Sequence, residues 1–238
     1  MDISTLDITI VTRLSDLLAG ESSGSRLFRL LVYNVGENPL LRGIPVFFPL
    51  LLLWFGSASN ERRSRILTGL LATCVAVGLS VAMQYLLHVH TRPVLDPTLT
   101  LQMATQKWDH DSSFPSDTAM LYFALATTIF LLNRRTGIAV FLWSLLSAGL
   151  CRVALGWHYP SDILGSLVIA PSVVLLFDNP AFIRGKIEAL LDSSQQWLNI
   201  ISAMLMLFIA EAYNLFPGLR NLVETAIRII RKNIDLPG

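Results

Sequence analysis

Charge is scarce in this chain. Only 15% of its 238 residues are Asp, Glu, Lys or Arg, where a soluble domain carries about 25%. The two signs nearly cancel, leaving a net charge of +1. That provides no basic surface to attract nucleic acid, so a nucleic-acid partner is not expected. Cysteine is almost missing too. Cys74 and Cys151 both sit in apolar stretches and read as small buried hydrophobes rather than a disulfide framework. There is no low-complexity tract and no long repeat. The start offers no basic region leading into an unbroken apolar core, because Asp2, Asp7, Arg13 and Asp16 interrupt it; no cleavable signal peptide is expected. What is abundant is apolar: 53% hydrophobic residues and a mean hydropathy of +0.57. The class that remains is a polytopic membrane protein.

The apolar residues fall into six segments, 43–60, 66–91, 118–133, 136–151, 163–177 and 193–210. Each is long enough, or nearly so, for the roughly 20 residues that a crossing needs. Ahead of them, Ile3, Leu6, Ile10, Leu14 and Leu17 recur at helical spacing, and 26–35 reads as a second amphipathic helix before Asn38-Pro39. The expected fold is therefore all-α: a membrane bundle of about six transmembrane helices with amphipathic terminal helices. Its parts are an amphipathic segment over 1–41, a transmembrane core over 42–178 and a C-terminal segment over 179–238, with the sixth span and an amphipathic tail. Arg62, Arg63 and Arg65, then Arg134 and Arg135, then Arg184 and Lys186 mark three loops on one side, expected to be cytoplasmic. The loops over 92–117 and 152–162 then face outward. The basic residues of both tails oppose this assignment unless the tails lie on the membrane surface.

Both outward loops carry chemistry that a membrane protein has little use for otherwise. The first holds Arg92-Pro93 and later Phe114-Pro115-Ser116-Asp117-Thr118. The second holds Arg152, then His158-Tyr159-Pro160-Ser161-Asp162. Two capped helix starts would account for the Pro, Ser and Asp residues alone. Two arginines beside them point further, because a helix start offers free N–H groups to an anion and an arginine fork matches phosphate oxygens. Arginine at a membrane interface is costly unless paired or functional. His158 and Asp162 are four apart, so on a helix start they share a face. A carboxylate on one imidazole nitrogen sets the tautomer and sharpens the other as a nucleophile. His88 and His90, at the outer end of the second segment, are expected to pack at the interface.

These residues resemble the type 2 phosphatidic acid phosphatase (PAP2) superfamily of membrane lipid phosphatases, with its motifs K-x6-R-P, P-S-G-H and S-R-x5-H-x3-D. Arg152, His158 and Asp162 match the third at full spacing, Arg92-Pro93 the first and Pro115-Ser116 the second. The likeness runs over about 27–177. The wording Ser-Phe-Pro-Ser-Asp is most similar to the bacterial undecaprenyl-diphosphate phosphatase branch. The resemblance implies that His158 is the nucleophile forming a phosphohistidine and that Asp162 orients it. It assigns the phosphoryl oxygens to Arg92, Arg152 and Ser116, with no metal and no cofactor. It also implies a bacterial inner membrane with the site facing the periplasm or exterior. The partners would be membrane lipids and an isoprenoid lipid phosphate or diphosphate.

Three positions depart from the pattern. Tyr85 stands where the family has lysine, Cys151 where it has serine, and Thr118 where it has the general-acid histidine. Threonine is no acid or base near neutral pH; His110 and Asp117 are the candidate substitutes. A lipid monophosphate must expel an alkoxide, which needs a proton. A diphosphate expels a phosphate group whose second pKa is about 6, and that group can leave unprotonated. The leading expectation is accordingly a polyprenyl (undecaprenyl) diphosphate phosphatase. Second stands a non-catalytic or repurposed protein binding a polyprenyl-phosphate lipid in cell-envelope polysaccharide assembly. Third stands a phosphotransferase from a lipid diphosphate to a phosphorylated acceptor, which needs no base because the acceptor is already anionic.

Overall fold

The computed structural model of the protein describes residues 3–56, 59–87, 89–99, 101, 112–179, 183–193, 195–214, 223 and 225. Among these the chain is helical, with one isolated antiparallel bridge between Thr91 and Ser112. The elements are α1 (Ile3–Ala19), α2 (Ser23–Gly36), α3 (Pro39–Phe55), α4 (Asn60–Leu87), α5 (Asp117–Leu132), α6 (Arg134–Ser144), α7 (Cys151–Ala154), α8 (Pro160–Phe177), α9 (Gly185–Ser193) and α10 (Gln195–Tyr213). A π-helical turn over Leu145–Leu150 joins α6 to α7, and one 3-10 turn covers Pro93–Leu95.

The helix starts follow from local chemistry. Asn38 Oδ1 accepts from the amides of Leu40 at 2.9 Å and Leu41 at 3.3 Å, with Pro39 at the first helical position. Ser22 accepts from the Ser25 amide at 3.0 Å, and Asn133 from the Thr136 amide at 3.1 Å. Each cap satisfies a backbone donor that the helix itself cannot. Pro45, Pro49 and Pro171 lie inside α3 and α8, as membrane helices tolerate where neighbours and side chains serve the freed backbone groups.

The two amphipathic helices expected before the first span are α1 and α2. Three helices are long and apolar enough to cross a membrane: Asn60–Leu87, the continuous Arg134–Ala154, and Pro160–Phe177. The pair Ser23–Gly36 and Pro39–Phe55, bent by 61°, would make a fourth if it counts as one span. Asp117–Leu132 and Leu198–Ala212 are apolar but shorter. The described residues thus contain three to four spanning helices rather than a confirmed six. Val168 and Leu207 are 67% and 68% exposed; on an apolar helix that outer face belongs against lipid. The protein is an integral membrane protein.

Helix α5 is the centre of the bundle. Every residue from Asp117 to Ile129 is buried, with α4, α6 and α8 packed around it. Close approach depends on small residues. A Cβ on Gly69 of α4 would meet Thr128 Oγ1 at 2.2 Å, and one on Gly137 of α6 would meet the Phe130 Cα at 2.2 Å. The bundle has two polar ends. At one, Asp178 Oδ1 receives Arg65 Nε at 3.0 Å and Arg184 Nη1 at 3.2 Å. At the other lie the loops that carried the unusual chemistry.

Candidate active site

Three stretches of chain converge at that second end: 90–93, 112–118 and 151–162. The first two are paired by the Thr91–Ser112 bridge and by the Ser113 amide donating to the His90 carbonyl at 3.2 Å. The third is turned back by Gly156, at φ +68°, in the left-handed region that glycine enters without steric penalty. Its amide bonds the Val153 carbonyl at 3.0 Å, and the Trp157 amide reaches the Arg152 carbonyl at 3.1 Å. This is the Schellman closure of a helix end. The Val94 amide then donates to the Gly156 carbonyl at 2.9 Å, tying the first loop to the turn. His158 emerges directly after it.

His158 is 1% exposed. Its Nδ1 lies 3.0 Å from the Ser113 carbonyl and 3.4 Å from Asp162 Oδ2. A carbonyl and a carboxylate can only accept, so Nδ1 carries the proton and Nε2 keeps its lone pair. Nε2 faces Arg92 Nη1 at 3.5 Å. Burial pushes the imidazole below its ordinary value of 6.5; Asp162 opposes this shift and Arg92 adds to it. The ring is thus held neutral, one nitrogen anchored and the other open. Asp162 is fully buried, and its Oδ2 also accepts from the Tyr159 amide at 2.8 Å. That bond locks the carboxylate against the first turn of α8.

The arginines form the wall opposite. Arg92, 1% exposed, donates from Nη1 to the Trp157 carbonyl at 3.1 Å. Arg152 lies with its guanidinium 4.6 Å over the Trp157 ring, and its Nη2 donates to Thr118 Oγ1. Its buried Nε has no hydrogen-bond partner. The Thr118 hydroxyl donates onward to Asp117 Oδ1 at 3.3 Å, and the Thr118 amide reaches the same oxygen at 2.7 Å. Thr118 therefore links Arg152 to Asp117. Ser116 is the N-cap of α5, its Oγ 3.4 Å from the Ala119 amide. Ser166 ties its carbonyl (3.1 Å) to that of Asp162 (2.7 Å). The first turns of α5 and α8 are thereby held side by side.

The structure thus brings Arg92, Arg152, His158, Asp162, Asp117, Thr118 and Ser116 to one end of the bundle. His110 lies outside the described residues, as does His88. Tyr85 is half-buried in α4. Among the described residues, no three His, Cys, Asp or Glu side chains converge as a metal site requires. Two sets of contacts escaped the sequence reading. Arg42, buried in α3, donates from Nη1 to the Gly36 carbonyl at 2.6 Å and from Nε to Tyr122 Oη at 3.4 Å. His90, expected to pack at the interface, reaches Asp162 instead, with Nε2 3.4 Å from Oδ1.

The family model of the PAP2 superfamily matches residues 65–179. Over 67 residues the chain is 40% identical to undecaprenyl-diphosphatase BcrC of Bacillus subtilis (strain 168), covering 28% of this chain and 34% of that protein. Over 86 residues it is 36% identical to the bacitracin transport permease protein BcrC of Bacillus licheniformis, covering 34% of this chain and 41% of that protein. The chain therefore spans between about a third and two fifths of the length of these curated relatives. No solved structure matches it significantly. The PAP2 match includes Arg92, Ser116, Arg152, His158 and Asp162, all five on the convergent loops.

Proposed function

We propose that the protein hydrolyses a polyprenyl diphosphate of the undecaprenyl class through a phosphohistidine on His158. The observation that carries this is the environment of one ring: Nδ1 held by the Ser113 carbonyl and Asp162, Nε2 open towards Arg92. In the first step Nε2 attacks the terminal phosphorus. An N–P bond forms, the bond to the bridging oxygen breaks, and lipid monophosphate leaves with the electron pair. Arg92 and Arg152 stabilise the charge on the phosphoryl oxygens, and Ser116 at the start of α5 adds a donor. Asp162 stabilises the imidazolium that forms. Water then attacks phosphorus, the N–P bond breaks, and orthophosphate leaves. Asp117, beside Thr118, takes the water proton.

Thr118 supports the choice of diphosphate over monophosphate. Its hydroxyl is engaged by Arg152 and Asp117 and supplies no acid, and a phosphate leaving group needs none. The relative named undecaprenyl-diphosphatase supports the same lipid class. In this reading α3, α5 and α10 join the three long helices as crossings. The site opens on the outer face of a bacterial inner membrane. A second reading, binding of polyprenyl phosphate without turnover, is favoured by the Thr118–Arg152 bond, which occupies a phosphate-binding arm.

Phosphate release by purified protein separates the two. We expect turnover of undecaprenyl diphosphate, little of the monophosphate, and none of either in His158→Ala. Thr118→His should raise monophosphate turnover, since general acid catalysis supplies about 10²–10⁴-fold. Tight lipid binding with no phosphate release from either lipid would favour the second reading.

A further inference from the structure

His90 closes a ring of contacts around the site. Its Nδ1 lies 2.8 Å from Ser113 Oγ, and its Nε2 lies 3.4 Å from Asp162 Oδ1. Asp162 Oδ2 faces His158 Nδ1, and the Ser113 carbonyl faces the same nitrogen. Two imidazoles thus share one carboxylate, one oxygen each, and one serine, through its hydroxyl and its carbonyl. Proton placement follows around the ring. The carboxylate accepts, so the His90 Nε2 carries hydrogen; His90 Nδ1 then accepts from the Ser113 hydroxyl. The acceptors facing His158 Nδ1 put its proton there, leaving the tautomer whose Nε2 can attack. Both contacts to Asp162 are 3.4 Å.

Asp162 Oδ1 is buried and has no hydrogen bond of its own. A buried carboxylate oxygen without a donor is costly. His90 is the group aimed at it, and at 31% side-chain exposure it is the one member of the ring that reaches solvent. Its ring also packs edge-on against Tyr159, with centroids 5.0 Å apart, and against Phe114 at 6.3 Å.

We infer that His90 is a positioning residue: it donates to the second oxygen of Asp162 and, with Ser113, holds His158 in the nucleophilic tautomer. The inference deepens the function proposed above and rests on it. It gives this chain a second histidine in the charge system of the nucleophile, supplied by the first loop.

Two variants separate donation from packing. His90→Phe keeps the ring against Tyr159 and Phe114 and removes the donor. His90→Gln removes the ring and keeps an N–H able to reach Asp162. With undecaprenyl diphosphate, His90→Phe should lose about tenfold in kcat at nearly unchanged KM, the scale on which orienting partners act. His90→Gln should stay close to the unmodified protein. Equal losses in both, or a greater loss in His90→Gln, would overturn the inference in favour of packing. A second readout needs no substrate. The chain has four histidines, so ¹⁵N-labelled imidazoles can be followed directly, with His158 assigned by its loss in His158→Ala. His90→Phe should move the His158 ring nitrogens away from the Nδ1-protonated signature and His90→Gln should not; an unchanged His158 in His90→Phe would also overturn it. If the unmodified protein released no phosphate, the proposed function would fail while the spectrum still decided the role of His90.

Discussion

At His158 one buried imidazole meets acceptors on one nitrogen and a guanidinium on the other. Neutrality is what this environment selects, and it has a pH consequence. The native ring titrates below 6.5, chiefly through burial. Between that lowered value and 6.5 the unfolded chain binds a proton that the native state does not. This ring's contribution to stability therefore declines as pH falls through that window and levels off below the native value. The His158 ring stays unprotonated throughout the window. The acid limb of kcat/KM should thus lie below the ordinary imidazole range, read from a pH profile of phosphate release. A limb above it, tracked to His158 by the labelled ring, would show that the ring is not held neutral. Arg92, Arg152, His158 and Asp162 were legible in the sequence as neighbours because their motif spacings are fixed and their side chains are distinctive. Ser113 and His90 were not. Ser113 works through its carbonyl, which every residue has, and His90 meets Asp162 only after two loops have closed on each other.

Elements were legible where the apolar pattern is strong. Amphipathic spacing placed α1 and α2, and uncharged runs placed α4, α5 and α8. The pattern did not reveal the π turn over Leu145–Leu150, because an extra residue in a turn changes no composition. It also did not separate the helix pairs that touch from those that do not. That information sits in the glycines. Gly69 of α4 lies so close to Thr128 of α5 that a Cβ would fall 2.2 Å from Oγ1 and 2.8 Å from the Thr128 Cβ. Gly69→Ala should therefore destabilise the bundle by about 1–3 kcal/mol, the usual cost of overpacking. Adding Thr128→Ala should restore part of the loss. Thermal unfolding in detergent checks both, and a Gly69→Ala protein as stable as the original would mean that α4 and α5 are further apart than described.

Across the whole molecule, polarity is divided between two ends. Arg65, Asp178 and Arg184 tie together the starts and finishes of helices at one end; Arg92, Arg152 and His158 occupy the other. The sequence foresaw this division from the alternation of basic and chemically unusual loops. It could not assign the tails, whose basic residues argued against the same orientation. We expect a cysteine at Arg135 to react with a membrane-impermeant maleimide only after permeabilisation, and one at Leu95 in intact cells, in a chain cleared of Cys74 and Cys151. Labelling of both from one side would contradict the proposed orientation.

The central claim is a covalent one: the terminal phosphoryl group passes through His158. Undecaprenyl diphosphate labelled in its terminal phosphate, mixed with protein and quenched in alkali, tests it most directly. Label is expected on the protein, acid-labile and alkali-stable, located on the peptide containing His158 and absent from His158→Ala. Undiminished phosphate release by His158→Ala would contradict it.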